Sequence, residues 1–413
     1  MKGAAMPSET DLPDPIPASL LLRRSVLDNP YPFYTRLRET APVWRVPGTG
    51  IFAVTRYALL EEAARRVEDF SSNLRSVLYR RRDGTPARLT YDGRLVQALA
   101  TADPPAHGAH RNAVFPELVA KRMAGMAPEI EQVADACIDR LLREGSGDFM
   151  GMVGNPVPIT VVSKLIGFKG SNIDNLLRAA FDSTAIVGGS SGLLGLGLCM
   201  VRTFIIQRWI AGQLRAASAQ GGDLLSAVKR SMGDGALREM EGRAILHILL
   251  AAGGESTTSL LGNAVRRLAE DQDLQQMLRT QPDLIPAFLE EVLRLESPFR
   301  FHLRSVPRPT RLGGVDIPAG ATVLMFWSAG NRDPERFAKP DELDLSRPKN
   351  HMTFGKGIHT CVGAPLARLE GQIVLRTLLA RTRRFTLTPN HSPQWVPSLQ
   401  VRRHEHLHVT ASR

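Results

Sequence analysis

Apolar residues recur at three- and four-residue spacing over 128–142, 157–167, 173–187, 200–216 and 236–270, a period that predicts amphipathic helices. Pro30 and Pro32, just after Asp28, open a helix reaching Glu39. Alternating apolar runs at 43–46 and 51–54 flank Pro47-Gly48-Thr49-Gly50 and predict a β-hairpin, followed by a helix over 57–67. After Arg294 the pattern changes. Short strands are expected at 301–306, 310–317 and 322–327, with turns at Gly313-Gly314 and Pro318-Ala319-Gly320. A Pro- and charge-rich meander over 331–350 leads to a helix over 364–380 and a strand pair at 384–388 and 400–410. No internal repeat is visible. Prolines at 7, 13, 15 and 17 mark residues 1–27 as a flexible tail. Residues 28–413 then form one cooperative unit, mainly α with a small β part.

Composition narrows the class. With 43% apolar and 23% charged residues in 413, the chain is an ordinary globular protein and not a disordered one. No run approaches the ~18 uninterrupted apolar residues of a membrane-spanning helix, and Leu20 to Leu22 is too short for a signal-peptide core. The expectation is a cytoplasmic protein without a membrane anchor. Three cysteines, Cys137, Cys199 and Cys361, exclude a disulfide framework, and no two have metal-knuckle spacing. The net charge of +11 suits an acidic partner. Arg80-Arg81-Arg82 is the only tight basic cluster, and without interleaved aromatics it reads as a solvated loop, not a nucleic-acid site.

The informative stretch runs from His351 to Gly363. Gly355, Gly357 and Gly363 bracket Cys361. Glycine permits positive φ and close backbone approach, so the loop can wrap a sulfur with its N–H groups inward. Ala364-Pro365 then starts a helix, whose partial positive charge favours a thiolate. Cys137 and Cys199 lie in apolar helical settings and read as inert. For Cys361 an inert cysteine in a turn is rejected, while a nucleophile served by His359 stays open. A second oddity is Ala251-Ala252-Gly253-Gly254-Glu255-Ser256-Thr257-Thr258, two glycines and three hydroxyls inside an apolar helix.

Phe354-Gly355-x-Gly357-x-His359-x-Cys361-x-Gly363 resembles the haem-binding signature of the cytochromes P450, the haem-thiolate monooxygenases. Glu291-Val292-Leu293-Arg294 resembles that family's Glu-x-x-Arg, with Arg347 as third member of a buried ion pair. Residues 252–256 resemble the oxygen-activation segment of its long central I helix. The resemblance spans the chain from about Asp28 onward. It implies haem b, with Cys361 as the iron ligand and Phe354 packed against haem and loop. It implies propionate partners in His107, Arg111, Arg304 and His359; a surface location stays open for His107 and Arg304. Ala252 would leave room above the cofactor at a widened turn. Glu255 and Ser256 would relay protons to O2, and helix kinking by back-bonded hydroxyls is compatible with that role. Ser256 stands where the family usually carries Thr, which puts coupling in question. Thr257, about 100° around the helix, is a poor substitute.

The resemblance also implies electrons from a ferredoxin and its reductase, docking near Lys356, Arg368 and Arg122. The substrate would be a small lipophilic molecule. Its pocket would be lined from 74–99, from a Gly-rich segment at 186–200 that reads as a mobile lid or a plain inter-helix loop, from Ile248 and Ala252, from 298–303 and near Ser398. The rival readings are a peroxide-driven peroxygenase on the same scaffold, a haem sensor without turnover, and a cysteine hydrolase.

Overall fold

A computed structural model describes residues 15–91 and 96–412. Helix α1 (Tyr31–Thr40) precedes the predicted hairpin of β1 (Val43–Val46) and β2 (Ile51–Val54), with Val43 opposite Val54. Helix α2 covers Tyr57–Arg65. A second hairpin, β3 (Ser76–Arg80) with β4 (Pro86–Thr90), stands where the sequence pattern shows only a loop. Its outer positions are polar, so alternation is weak.

The helical part is α3 (Ala106–Val114), α4 (Ala127–Glu144), α5 (Pro156–Ile166), α6 (Ile173–Val187), α7 (Leu193–Ala216) and α8 (Glu239–Glu270). Asn172 caps α6 by accepting from the Asn175 N–H at 3.0 Å, and Glu241 reaches back to the Arg238 N–H at 2.8 Å to start α8. Helix α8 is apolar on nearly every side because it threads the core, with 72% of its apolar stretch buried. Helix α9 (Ile285–Leu295) leads into β5 (His302–Ser305), the hairpin β6 (Thr310–Leu312) and β7 (Val315–Ile317), and β8 (Thr322–Met325). Helix α10 (Ala364–Arg381) and the antiparallel pair β9 (Arg384–Leu387) and β10 (His408–Ser412) close the chain.

The main sheet runs β1-β2-β8-β5, and β2 lies parallel to β8 with Ile51 opposite Thr322. It joins strands more than 200 residues apart, so helical and β parts are tied into one body. One core cluster fills the helical part and two smaller ones flank the sheet.

Three expectations change. Residues 1–14 of the anticipated tail lie outside the described residues. Residues 15–27 do not float: Leu20, Leu21 and Leu22 are buried against Phe33, Trp44 and Phe326 in two short helical turns. Helix α7 begins at Leu193, seven residues before the periodic pattern, so most of the expected 186–200 lid is helix. The uninterrupted-run criterion also passed over two helices, α7 and α8, that are long and apolar enough to cross a membrane by length and composition.

Candidate active site

The loop before α10 takes the shape its glycines permit. Gly355 and Gly357 have φ of +71° and +70°, and a Cβ on Gly357 would stand 2.8 Å from the Ala64 carbonyl oxygen. The third glycine serves differently. Gly363 has an ordinary φ of −88° and caps α10. The N–H groups of Gly363 and Ala364 lie near the Cys361 sulfur and favour its charged form. The Cys361 N–H in turn donates to the Phe354 carbonyl at 2.8 Å, closing the loop on itself. Cys361 is exposed to the cavity, yet its depth within the protein pushes the thiol above its ordinary value and outweighs those N–H groups and the nearby Arg368 and Arg111. The expected pull toward thiolate is present but is the smaller effect.

Cys361 faces a cavity of ≈ 1450 Å³, counting its open mouth. Phe354 lies in its wall, with the Arg368 guanidinium 4.5 Å from its ring centroid on the other side. The four expected propionate partners, His107, Arg111, Arg304 and His359, all line it. His107 and Arg304 are buried, so the surface location left open for them is excluded. The His107 and His359 ring centroids are 4.4 Å apart, and Arg111 donates to the Thr360 carbonyl at 3.0 Å. Arg304 donates to the carbonyl of its own neighbour Leu303. Burial, then Arg304, His107, His302 and Arg111, press the His359 imidazole down to about 3. Burial brings Arg304 down to about 10. Neither His359 ring nitrogen has a protein partner, the Cys361 sulfur included, which removes the hydrolase pairing.

Across the cavity stands α8. Ala252, Gly253, Ser256 and Thr257 line it, together with Ile248 and Leu260. The helix is regular here; the anticipated widened turn is absent. Ser256 Oγ donates to the Ala252 carbonyl at 2.6 Å, the back-bonded arrangement. Thr257 also reaches the cavity wall, so its offset around the helix does not remove it from the site. Glu255 does not line the cavity. It is buried behind the helix, accepting from Thr184 Oγ1 and, at 3.2 Å, from Arg403 Nε. Burial pushes its carboxyl up; Arg403 and Thr184 pull it back. The two glycines have a packing purpose. A Cβ on Gly253 would stand 2.8 Å from Val162 Cγ2, and one on Gly254 2.8 Å from Ile159 Cδ1, so they seat α5 (Pro156–Ile166) against α8.

Below the cysteine loop the ion network is as expected. Arg294 donates twice to Glu291, at 2.7 and 2.8 Å, and Arg347 Nε joins at 3.3 Å. A neighbouring network is not apparent from the motif. Glu290 accepts from Arg368 at 2.6 and 2.9 Å and meets His351 Nε2 at 3.1 Å. It ties α9, the loop and α10 together. Burial would raise Glu290, but Arg368 and His351 bring it down to about 2. The expected docking cations are therefore engaged. Arg368 belongs to Glu290, Arg122 pairs with Glu117 at 2.7 Å, and Lys356 lies 3.9 Å from Glu61. Of the anticipated pocket segments, Leu99, Pro298, Phe299 and His302 contribute to the wall; among the described residues, 186–200 and Ser398 do not. Trp327, which donates to His302 Nδ1 at 2.7 Å, is an unanticipated wall residue.

A family model for cytochrome P450 matches residues 213–403. Cytochrome P450 144 of Mycobacterium tuberculosis is 39% identical over 391 residues, 93% of this chain and 89% of that protein. The 6-deoxyerythronolide B hydroxylase of Saccharopolyspora erythraea is 33% identical over 393 residues, 92% of this chain and 95% of that one. The solved structure of cytochrome P450 CYP109Q5 from Chondromyces apiculatus superposes with a TM-score of 0.80 at 29% identity, covering 95% and 97% of the two chains. The chain belongs to the cytochrome P450 family, the haem-thiolate monooxygenases, and is similar to bacterial members. Family membership brings haem, O2, a small-molecule substrate and a redox partner. The residues present fit the cofactor: a cysteine sulfur cradled by two N–H groups faces a large cavity, and two arginines and two histidines converge on its wall, His359 with both nitrogens unpartnered.

Proposed function

We propose that this protein oxidises a small lipophilic molecule in the cytoplasm, using haem b held by Cys361 and electrons from a ferredoxin and its reductase. The observation that carries the reading is Cys361, with its N–H cradle, set opposite Ala252 and Ser256 across one cavity. Bound there, the haem supplies O2 binding and reductive activation, with a thiolate ligand favouring O–O cleavage. Everything else falls to the chain. Cys361 ligates as thiolate, and the Gly363 and Ala364 N–H groups stabilise the charge on its sulfur. His107, Arg111, Arg304 and His359 would hold the two propionates, and Phe354 would pack against the cofactor. Ala252 keeps the space above it open. Ser256 Oγ presents a hydroxyl to that space and, by turning from the Ala252 carbonyl, passes a proton. Glu255, whose carboxyl is held up by burial, is the proton reserve behind it, reached by rotation away from Thr184 and Arg403.

The apolar wall from Leu99, Ile248, Leu260 and Phe299 excludes water and suits an apolar substrate. The placement of Glu255 outside the cavity favours one further reading, a peroxide-driven enzyme that needs no proton relay. Both are tested on one preparation. The dithionite-reduced protein under carbon monoxide should show the red-shifted Soret band of thiolate-ligated haem. An unshifted band removes the Cys361 assignment. Substrate oxidation with ferredoxin, reductase and NAD(P)H supports the main reading; oxidation with hydrogen peroxide alone supports the other.

A further inference from the structure

Helix α7 (Leu193–Ala216) carries apolar residues all the way round, interrupted by Arg202, Arg208 and Arg215. Yet only 17% of its apolar stretch is buried. Its inner face, with Ile206, Ile210 and Leu214, packs into the helical core. Its outer face presents Leu194, Leu198, Val201, Phe204 and Ile205, with Leu194 93% exposed and Phe204 63%. These five lie within about 120° of one another around the helix. Contiguous exposed apolar surface of this kind marks an interaction site.

The charges around it say what covers it. From residue 183 to residue 222 there is no Asp or Glu, while Arg202, Arg208 and Arg215 are present. Arg202 is held by Asp182 at 3.4 Å, but Arg208 is exposed at the C-terminal end of the stripe, its guanidinium 5.9 Å from the Phe204 ring centroid. At the other end the β3–β4 hairpin docks beside the helix start: the Arg80 N–H donates to the Ser191 carbonyl at 2.9 Å. That bond brings the hairpin end carrying exposed Arg80, Arg81 and Arg82 to the start of the helix. The carboxylate described at that tip, Asp83, is exposed and accepts from the Thr85 N–H and Oγ1, so the three arginines leave the tip with a net positive charge. An apolar stripe bracketed by cations, with no carboxylate along it, is complementary to an anionic lipid surface. A second copy of the chain fits poorly, because a two-fold contact would set these arginines against each other. Spanning is excluded by the three arginines and by the buried inner face.

We propose that α7 and the tip of the β3–β4 hairpin form a surface by which this protein lies on anionic lipid. The test is co-sedimentation of the full-length haem-loaded protein with vesicles of phosphatidylcholine alone or mixed with phosphatidylglycerol. Binding should require phosphatidylglycerol and weaken with salt. Each of Arg81→Gln, Arg82→Gln and Arg208→Gln should weaken it roughly fivefold. Leu194→Ser with Ile205→Ser should abolish it while the reduced carbon monoxide spectrum stays unchanged. Equal binding to both vesicle types, binding unaffected by these substitutions, or no binding at all would overturn the proposal. So would a lipid-free dimer that the Leu194→Ser, Ile205→Ser variant converts to monomer, because the patch would then belong to a second copy.

Discussion

The two walls of the cavity are built on different plans. At the cysteine wall the backbone itself is the device: two left-handed glycines, a loop closed on Phe354 and N–H groups aimed at sulfur. Beneath it two buried networks, Glu291–Arg294–Arg347 and Glu290–Arg368–His351, clamp the loop to α9 and α10. At the α8 wall the helix is regular and its polar groups are occupied elsewhere, Ser256 on its own carbonyl and Glu255 on Thr184 and Arg403. The comparison teaches that ligation needs rigid geometry, whereas the opposing wall carries small side chains and hydroxyls free to change partners.

The sharpest break of that contrast is Cys361→Ala, which should abolish both the thiolate spectrum and turnover; a spectrum like the parent's would end the ligand assignment. Next, Arg294→Leu leaves Glu291 buried beside Arg347 alone. A cost of about 3–5 kcal/mol is expected from breaking such a pair, read as a fall in denaturation midpoint with haem content measured in parallel. Gly357→Ala combines a positive φ with a 2.8 Å approach to Ala64, and should cost about 1–3 kcal/mol. A change within 0.5 kcal/mol would show the loop to be softer than its geometry.

Acidity gives a further handle. Glu290 is held at about 2 against an ordinary 4.5. A depressed carboxyl contributes stability that is fully present above 4.5 and is lost as pH falls through about 2. Glu290→Gln should therefore be less stable at neutral pH and show a flatter acid limb in urea titrations. The smallest structural effect is expected at the other wall. Ser256→Ala removes one back-bonded hydroxyl, so stability should move by no more than about 0.5 kcal/mol. Hydrogen peroxide released per NAD(P)H should rise; unaltered coupling would take Ser256 out of proton delivery.

The same contrast explains what was legible in the sequence. The cysteine loop is local: its glycines, cysteine and following Pro365 sit within eleven residues, and their spacing carries the geometry. Glu291 and Arg294 are likewise one helical turn apart. The partners of Glu255 lie 71 and 148 positions away, and no pattern announces that Thr184 and Arg403 meet there. Glu290 and Arg368 are 78 apart, hidden beside a motif that draws attention to Glu291. The start of α7 was obscured by Gly192, Gly195 and Gly197, which weaken helix propensity although tertiary contacts hold the turn. The N-terminal leucines looked solitary among prolines, because the apolar cluster that receives them comes from Trp44, Phe301 and Phe326. The glycines at 253 and 254 stood out only as an oddity in an apolar helix, because the side chains they make room for, Val162 and Ile159, come from a helix about 90 residues earlier.

That last contact bears on how the enzyme's repertoire can change. Because α5 sits in a notch cut by Gly253 and Gly254, a methyl group added there would shift a helix and not a rotamer. Altered preference is therefore gained in small steps at Leu99, Ile248 or Phe299, and in one large step at the notch, where selectivity and thermal tolerance change together.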